Sequence, residues 1–113
     1  MKYSGNDFYC DVAIPKKIPL KIEFESENVL AYHHTKPFWP VHIVVTPKEH
    51  FNSLLSIDES NRHIFDELLT VIQEISAKVE KEHGAAAILT NLGSYQDSKH
   101  LHFHITFGKP IET

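Results

Sequence analysis

Near the C-terminus the chain reads His100-Leu101-His102-Phe103-His104-Ile105-Thr106-Phe107, and no other stretch constrains the fold as much. Histidine recurs at every second position, with apolar residues between. Successive side chains of a β-strand point to opposite faces. A strand therefore places His100, His102 and His104 in one row and Leu101, Phe103, Ile105 and Phe107 on the core side. A helix would scatter the three rings around its axis. A row of imidazoles suits an anion, a proton relay or a metal. The chain carries nine histidines in all, and several stand where they can join this row.

The remaining composition narrows the class. At 113 residues the chain is long enough for one core and too short for two, so residues 1–113 read as a single domain. Hydrophobic residues make up 42% and charged residues 23%, a globular rather than a disordered balance. A net charge of -4 argues against nucleic acid as a partner. The one cysteine, Cys10, excludes an internal disulfide. No apolar run reaches the ~20 residues of a membrane span, and the N-terminus lacks a signal peptide's apolar stretch. The expectation is a soluble cytoplasmic protein with no membrane partner.

Taken in order, Asn6 to Ile14 reads as a short helix capped by Asn6 or Asp7, with Phe8, Val12 and Ile14 on one side. Lys21 to Glu25 alternates as a strand does, Ser26-Glu27-Asn28 is a turn, and Val29 to Tyr32 is a second strand. Pro37 and Pro40 interrupt regular structure. Val41 to Thr46 is a β-branched strand that projects His42 toward the histidine row. Ser56-Ile57-Asp58-Glu59 has the capping-box pattern. It predicts a helix with the apolar stripe Ile64, Leu68, Val71, Ile72, Ile75 and Val79, stopped at Gly84. Ala85 to Thr90 reads as a strand, with small residues where the helix crosses. Asn91 to Lys99 is a polar loop feeding the histidine strand. The sum is an α+β domain: an antiparallel sheet of about five strands with one long helix packed on it.

These residues resemble a known family. His-Leu-His-Phe-His-Ile-Thr resembles the histidine triad (HIT) signature, His-φ-His-φ-His-φ-φ with φ apolar. Ile18-Pro19 with Lys21-Ile22, Ala31-Tyr32-His33, the run from Val41 to His50, and Asn91, Gly93 and Gln96 resemble segments of its Hint-type nucleoside phosphoramidases. The resemblance implies roles. His102 matches the nucleophile, and His104, His42 and His100 match the histidines around it and the phosphate. Asn91 and Gln96 match polar groups near the phosphate and leaving group. His33 and His34 match positions lining the ribose and base pocket.

Three departures from the family pattern bear on specificity. His34 stands where an acid often grips the ribose hydroxyls, and a neutral imidazole accepts only one hydrogen bond. Asp97 and then Ser98 follow the glutamine, where a serine often comes first; the hydroxyl would assist the leaving group, and the carboxylate would repel a phosphate. Some bacterial members bind zinc through two cysteines and two histidines. Here Cys10, His50 and His100 match, with Asp7 in place of the second cysteine. Zinc accepts carboxylate oxygen, so these four are a candidate structural zinc site, although the chemistry requires no cofactor.

The resemblance implies a purine nucleoside phosphoramidase, with a purine nucleotide as substrate. His102 attacks the α-phosphorus, a proton passes to the leaving group, and water hydrolyses the nucleotidyl-histidine to a nucleoside monophosphate. The alternatives are a dinucleoside polyphosphate hydrolase of the same family, a nucleotide-binding interaction module with little catalysis, and a metal centre built on His-x-His. A homodimer is also implied, with Trp39 or Tyr32 at its interface.

Overall fold

The computed structural model describes residues 7–111. Five strands form one antiparallel sheet: β1 (Ile22–Glu25), β2 (Val29–His33), β3 (Val41–Pro47), β4 (Ala87–Leu89) and β5 (Phe103–Phe107). Their order across the sheet is β1-β2-β3-β5-β4. A single long helix, α1 (Arg62–His83), lies between β3 and β4 in sequence. This is the expected α+β domain.

The sheet buries both faces, and alternation assigns residues to each. Val29, Ala31, Ile43, Val45, Phe103 and Ile105 face α1, where Ile64, Leu68, Val71, Ile72, Ile75 and Val79 meet them. Fully burying one such side chain contributes ~1.5–3 kcal/mol relative to leaving it exposed, so this stripe holds the helix to the sheet. Leu30, Tyr32 and Val44 face the other way, against Tyr9 and Ala13. The histidine side chains occupy the rest of that second face.

The C-terminal end of α1 follows the sequence expectation and the N-terminal end does not. Gly84 terminates the helix at φ +94°, and its N–H donates to the Glu80 carbonyl at 2.7 Å. The capping box at Ser56–Glu59 does not form. α1 begins six residues later, at Arg62. Ser56 instead closes a reciprocal cap with Ser53 around the short 3-10 turn Leu54–Ser56. Asp58 is spent on the Ser60 backbone and hydroxyl. Local side-chain bonds competed with the helix start and won.

Two further expectations need correction. The alanines Ala85, Ala86 and Ala87 do not lie under the helix; they are exposed at the sheet edge. The N-terminal segment is a π-helical turn, Tyr9–Ala13, that buries Tyr9, Val12 and Ala13 rather than Phe8 and Ile14. Asp7 does cap it, its Oδ1 accepting the N–H groups of Tyr9 and Cys10 at 3.0 Å each. Asn6, the alternative cap, lies outside the described residues.

Candidate active site

Strand β5 begins at Phe103, so of the three histidines His104 alone lies within its span, yet the rings stay side by side: Tyr9 packs on both His100 and His102, at 5.3 and 4.6 Å, and His102 meets His104 at 4.9 Å. His104 projects from β5, His102 lies just before it, and His100 lies in the irregular entry segment. That segment is held by two bonds: the Leu101 N–H donates to the Phe51 carbonyl at 2.6 Å, and the Thr46 hydroxyl to the Leu101 carbonyl at 2.8 Å. The His100 ring, at the far end of the row, also joins a second cluster with Asp7, Cys10 and His50.

His102 and His104 line a pocket of about 280 Å³ on the face away from α1. Its other polar lining comes from His34, Thr35, Asp97 and Ser98. Phe8, Tyr9, Tyr32 and Phe38 supply aromatic walls. Tyr9 stacks over His102 with ring centroids 4.6 Å apart, and His34 stacks on His42 at 4.3 Å.

The hydrogen bonds fix where the protons lie. The Phe38 N–H donates to His42 Nδ1 at 3.0 Å. A neutral imidazole has one donor and one acceptor, so His42 Nε2 carries the hydrogen and donates to His104 Nδ1 at 2.8 Å. His104 then presents Nε2–H to the pocket. His102 is set the opposite way. Its Nδ1 lies 2.7 Å from the His100 carbonyl, which can only accept. Nδ1 therefore carries the hydrogen, and Nε2 keeps its lone pair. The pocket thus holds one imidazole with a free lone pair beside another that presents an N–H.

All four rings are kept uncharged. Burial, then the His102, His42 and His34 rings, push His104 down to about 3. Burial, then His34 and His102, push His42 down to about 4. His102 and His34 are also lowered, chiefly by burial. Packed imidazoles resist charging together.

Ser98 and Asp97 occupy different depths. Ser98 is only 8% exposed, and its hydroxyl has no hydrogen-bond partner among the described residues although it lines the pocket. A buried hydroxyl without a partner is costly; the Ser98 oxygen is closed to solvent in this conformation, as is that of Ser76 on α1, and it meets a ligand only after turning into the pocket. Asp97, at the same pocket, is exposed.

Several expected residues lie elsewhere. His33 is not in the pocket, because alternation along β2 turns it to the α1 side. There it pairs with Glu23 at 2.9 Å, next to Lys78. Tyr32 is buried at 2% exposure and is therefore part of the pocket wall, not of an interface. Gln96 binds the Asn52 carbonyl at 2.7 Å, shaping its loop rather than lining the pocket. Asn91 is half-buried and does not line the pocket. His42 acts on the pocket through His104. Sequence reasoning missed the aromatic walls. The alternation that excludes His33 could have selected Tyr32 with His34.

His100 sits with Asp7, Cys10 and His50, whose ligand atoms all lie within 4.8 Å of one another. His100 Nε2–H donates to the Pro47 carbonyl at 2.9 Å, leaving Nδ1 facing Asp7 Oδ2 at 3.0 Å. His50 Nδ1 faces the same oxygen, with Nε2 on Asn52 Oδ1. The His100 ring therefore meets an acceptor on both sides, an arrangement that a cation shared with Asp7 and His50 would balance. Burial works to raise the Asp7 pKa, but the Cys10 N–H and His100 outweigh it and hold the carboxyl down at about 2. Burial and Asp7 push the Cys10 thiol up to about 11. The donor set of two imidazoles, a thiol and a carboxylate fits zinc, which would itself deprotonate the thiol.

The sheet, its one-sided helix and a pocket of imidazoles on the opposite face together define a small α+β domain with a histidine-lined site. The HIT domain family model matches residues 15–110. An uncharacterized HIT-like protein of Rickettsia prowazekii is 36% identical over 106 residues, covering 87% of this chain and 84% of its own length. One from Buchnera aphidicola is 31% identical over 96 residues, covering 83% and 86%. Among solved structures, a histidine triad protein from Clostridium difficile is 32% identical with a TM-score of 0.73, covering 99% of this chain and 98% of its own. A HIT family hydrolase from Clostridium thermocellum is 30% identical with a TM-score of 0.75, covering 95% and 94%. The chain belongs to the HIT family.

Proposed function

We propose that this protein is a hydrolase of nucleoside 5′-phosphoramidates, of the Hint type, working through a nucleotidyl-His102 intermediate. The observation that carries the reading is the pair of opposite tautomers: His102 with a free Nε2 lone pair, His104 with Nε2–H. His102 Nε2 attacks the α-phosphorus. A nitrogen–phosphorus bond forms as the bond to the leaving amine breaks, and the amine departs with a proton taken from solvent, to which the attacking water of the second step returns one. His104 Nε2–H donates to a phosphoryl oxygen, and that bond strengthens as charge builds there. We assign the Ser98 hydroxyl, once turned into the pocket, as a donor toward the leaving group. Water then attacks phosphorus, His102 leaves with its lone pair restored, and a nucleoside monophosphate is released. Splitting one displacement into two steps is the benefit of the covalent route. The HIT family hydrolase of Clostridium thermocellum supports hydrolysis as the outcome. A purine base would stack against the aromatic walls, which offer a flat apolar surface.

Zinc held by Asp7, Cys10, His50 and His100 would cross-link the N-terminal turn to the entry of β5, a structural role. It would fix the His100 carbonyl that orients His102, and no catalytic step needs it. A homodimer is the proposed assembly, formed on the open edge of β4. There Ile88 is 54% exposed, and an uncovered apolar edge invites pairing. The catalytic reading is tested by incubating the protein with adenosine 5′-phosphoramidate and diadenosine polyphosphate side by side and following AMP release. Preferential turnover of the phosphoramidate supports it. Preference for the dinucleotide assigns the chain to the polyphosphate hydrolases instead, and binding without turnover makes it an interaction module.

A further inference from the structure

The Asp97 carboxylate stands out in a pocket otherwise suited to an anion. It lines the same pocket as His102 and His104, and it acts electrostatically on His34, His102 and Tyr9. No ion pair neutralises it among the described residues. Lys99, two positions on, is turned elsewhere: its Nζ donates to the Gly93 carbonyl at 2.7 Å and to Gln96 Oε1 at 3.3 Å. An uncompensated carboxylate disfavours a phosphate approaching on its own. The cost is recovered only if the far end of the substrate brings a positive charge.

The neighbour of Asp97 indicates which end of the substrate that is. Ser98 lines the pocket as a buried residue whose hydroxyl is closed to solvent, whereas Asp97, lining the same pocket, is exposed. A leaving group that runs from the pocket past Ser98 to solvent passes the adjacent Asp97. From this juxtaposition we infer that Asp97 selects substrates whose leaving group carries a cationic side chain, an ammonium or guanidinium a few bonds from the scissile phosphorus. Asp97 takes no part in bond-making; it is a specificity determinant. The inference rests on the nucleotidyl-transfer reading above and names the substrate class within it.

The test uses two adenosine 5′-phosphoramidates that share a flexible alkylamine leaving group. One ends in trimethylammonium, the other in the isosteric neutral tert-butyl group. The linker is long enough that both leaving amines have the same basicity. Wild-type protein and Asp97→Asn are compared on both, at low and high salt. The expected result is a kcat/KM about threefold to fivefold higher for the cationic substrate, the range of a partly exposed ion pair. The preference should reside in KM, shrink with added salt, and fall to about one in Asp97→Asn. Because Asp97 is exposed, the fold should survive the change; the salt dependence of the wild type gives a second reading that needs no variant. Equal kcat/KM for the two substrates in the wild type overturns the inference. So does a preference that persists in Asp97→Asn. Turnover of neither substrate defeats the phosphoramidase reading itself, and the inference with it.

Discussion

His42 Nε2 donates to His104 Nδ1 at 2.8 Å across neighbouring strands β3 and β5, and this bond sets which nitrogen of His104 faces the pocket. The Phe38 N–H holds His42 in the required tautomer from the other side. His42→Asn keeps a polar side chain on β3 but breaks this relay. It should lower kcat roughly a hundredfold, the effect of losing one aimed donor, with the thermal midpoint changed far less. Steady-state kinetics, together with the nitrogen chemical shifts of His104, would check this. Unchanged kcat would remove His104 from the reaction.

Ser98→Ala separates a structural hydroxyl from a functional one. The hydroxyl has no partner to lose among the described residues, so removing it should leave stability equal or slightly raised. Turnover of a phosphoramidate should nevertheless fall by at least tenfold, since a donor near the leaving group is gone. Urea denaturation and kcat measured on the same preparation decide it. A destabilised protein with full activity would contradict the assignment.

The neutral imidazole pair makes stability depend on pH. Native His42 and His104 titrate at about 4 and about 3, against 6.5 for a free imidazole. Above the free value both states are uncharged, and the folded pair contributes its full stability. As pH falls from there, the unfolded chain takes up protons that the native pair refuses, so stability declines until the native values are reached. Asp7, held at about 2 against 3.8, adds a separate loss below 3.8. The urea midpoint should therefore be clearly lower near pH 4.5 than near pH 7.5. A midpoint constant over that interval would show that the rings are charged, or solvated, in the native state.

Zinc binding at Asp7, Cys10, His50 and His100 predicts about one equivalent of zinc per chain in protein purified without chelator. Removing it should lower the thermal midpoint, and Cys10→Ala should abolish both the binding and the shift. Elemental analysis and calorimetry supply the readings. A midpoint indifferent to zinc would contradict a structural metal at this cluster.

Much of this was legible in the sequence, and what was not has identifiable causes. The stripe on α1 is periodic over many residues, so its burial follows from pattern. His42 and His104 were readable because their strand positions fix their face, and His102 and His100 continue the same spacing upstream of β5. His33 was not, because β2 reads Val-Leu-Ala-Tyr, apolar on both faces, and its own pattern does not set the phase. Tyr9 over His102 could not be foreseen, since it requires an N-terminal turn to pack on a face formed by strands far along the chain. The helix start shifted because Ser53, Ser56, Asp58 and Asn61 bond among themselves, a choice that propensity alone does not resolve.

A positive glycine angle also matters at the end of the histidine strand. Gly108 has φ +97°, and a Cβ there would stand 2.9 Å from the Pro40 ring. Gly108→Ala should therefore loosen the contact between the Pro37–Pro40 segment and the end of β5. With Phe38 in that segment holding His42, the variant should lose both stability, by about 1 kcal/mol or more, and activity. Loss of neither in denaturation and kinetic assays would uncouple this segment from the relay.

The central assertion is that one ring nitrogen becomes covalently bonded to phosphorus. Rapid quenching in base during turnover of adenosine 5′-phosphoramidate, followed by peptide mass spectrometry, reads this directly. The account predicts an adenylyl group on the peptide containing His102, and none when His102→Asn is treated in the same way. Near wild-type turnover by His102→Asn, or an adduct that forms on another residue, would contradict it.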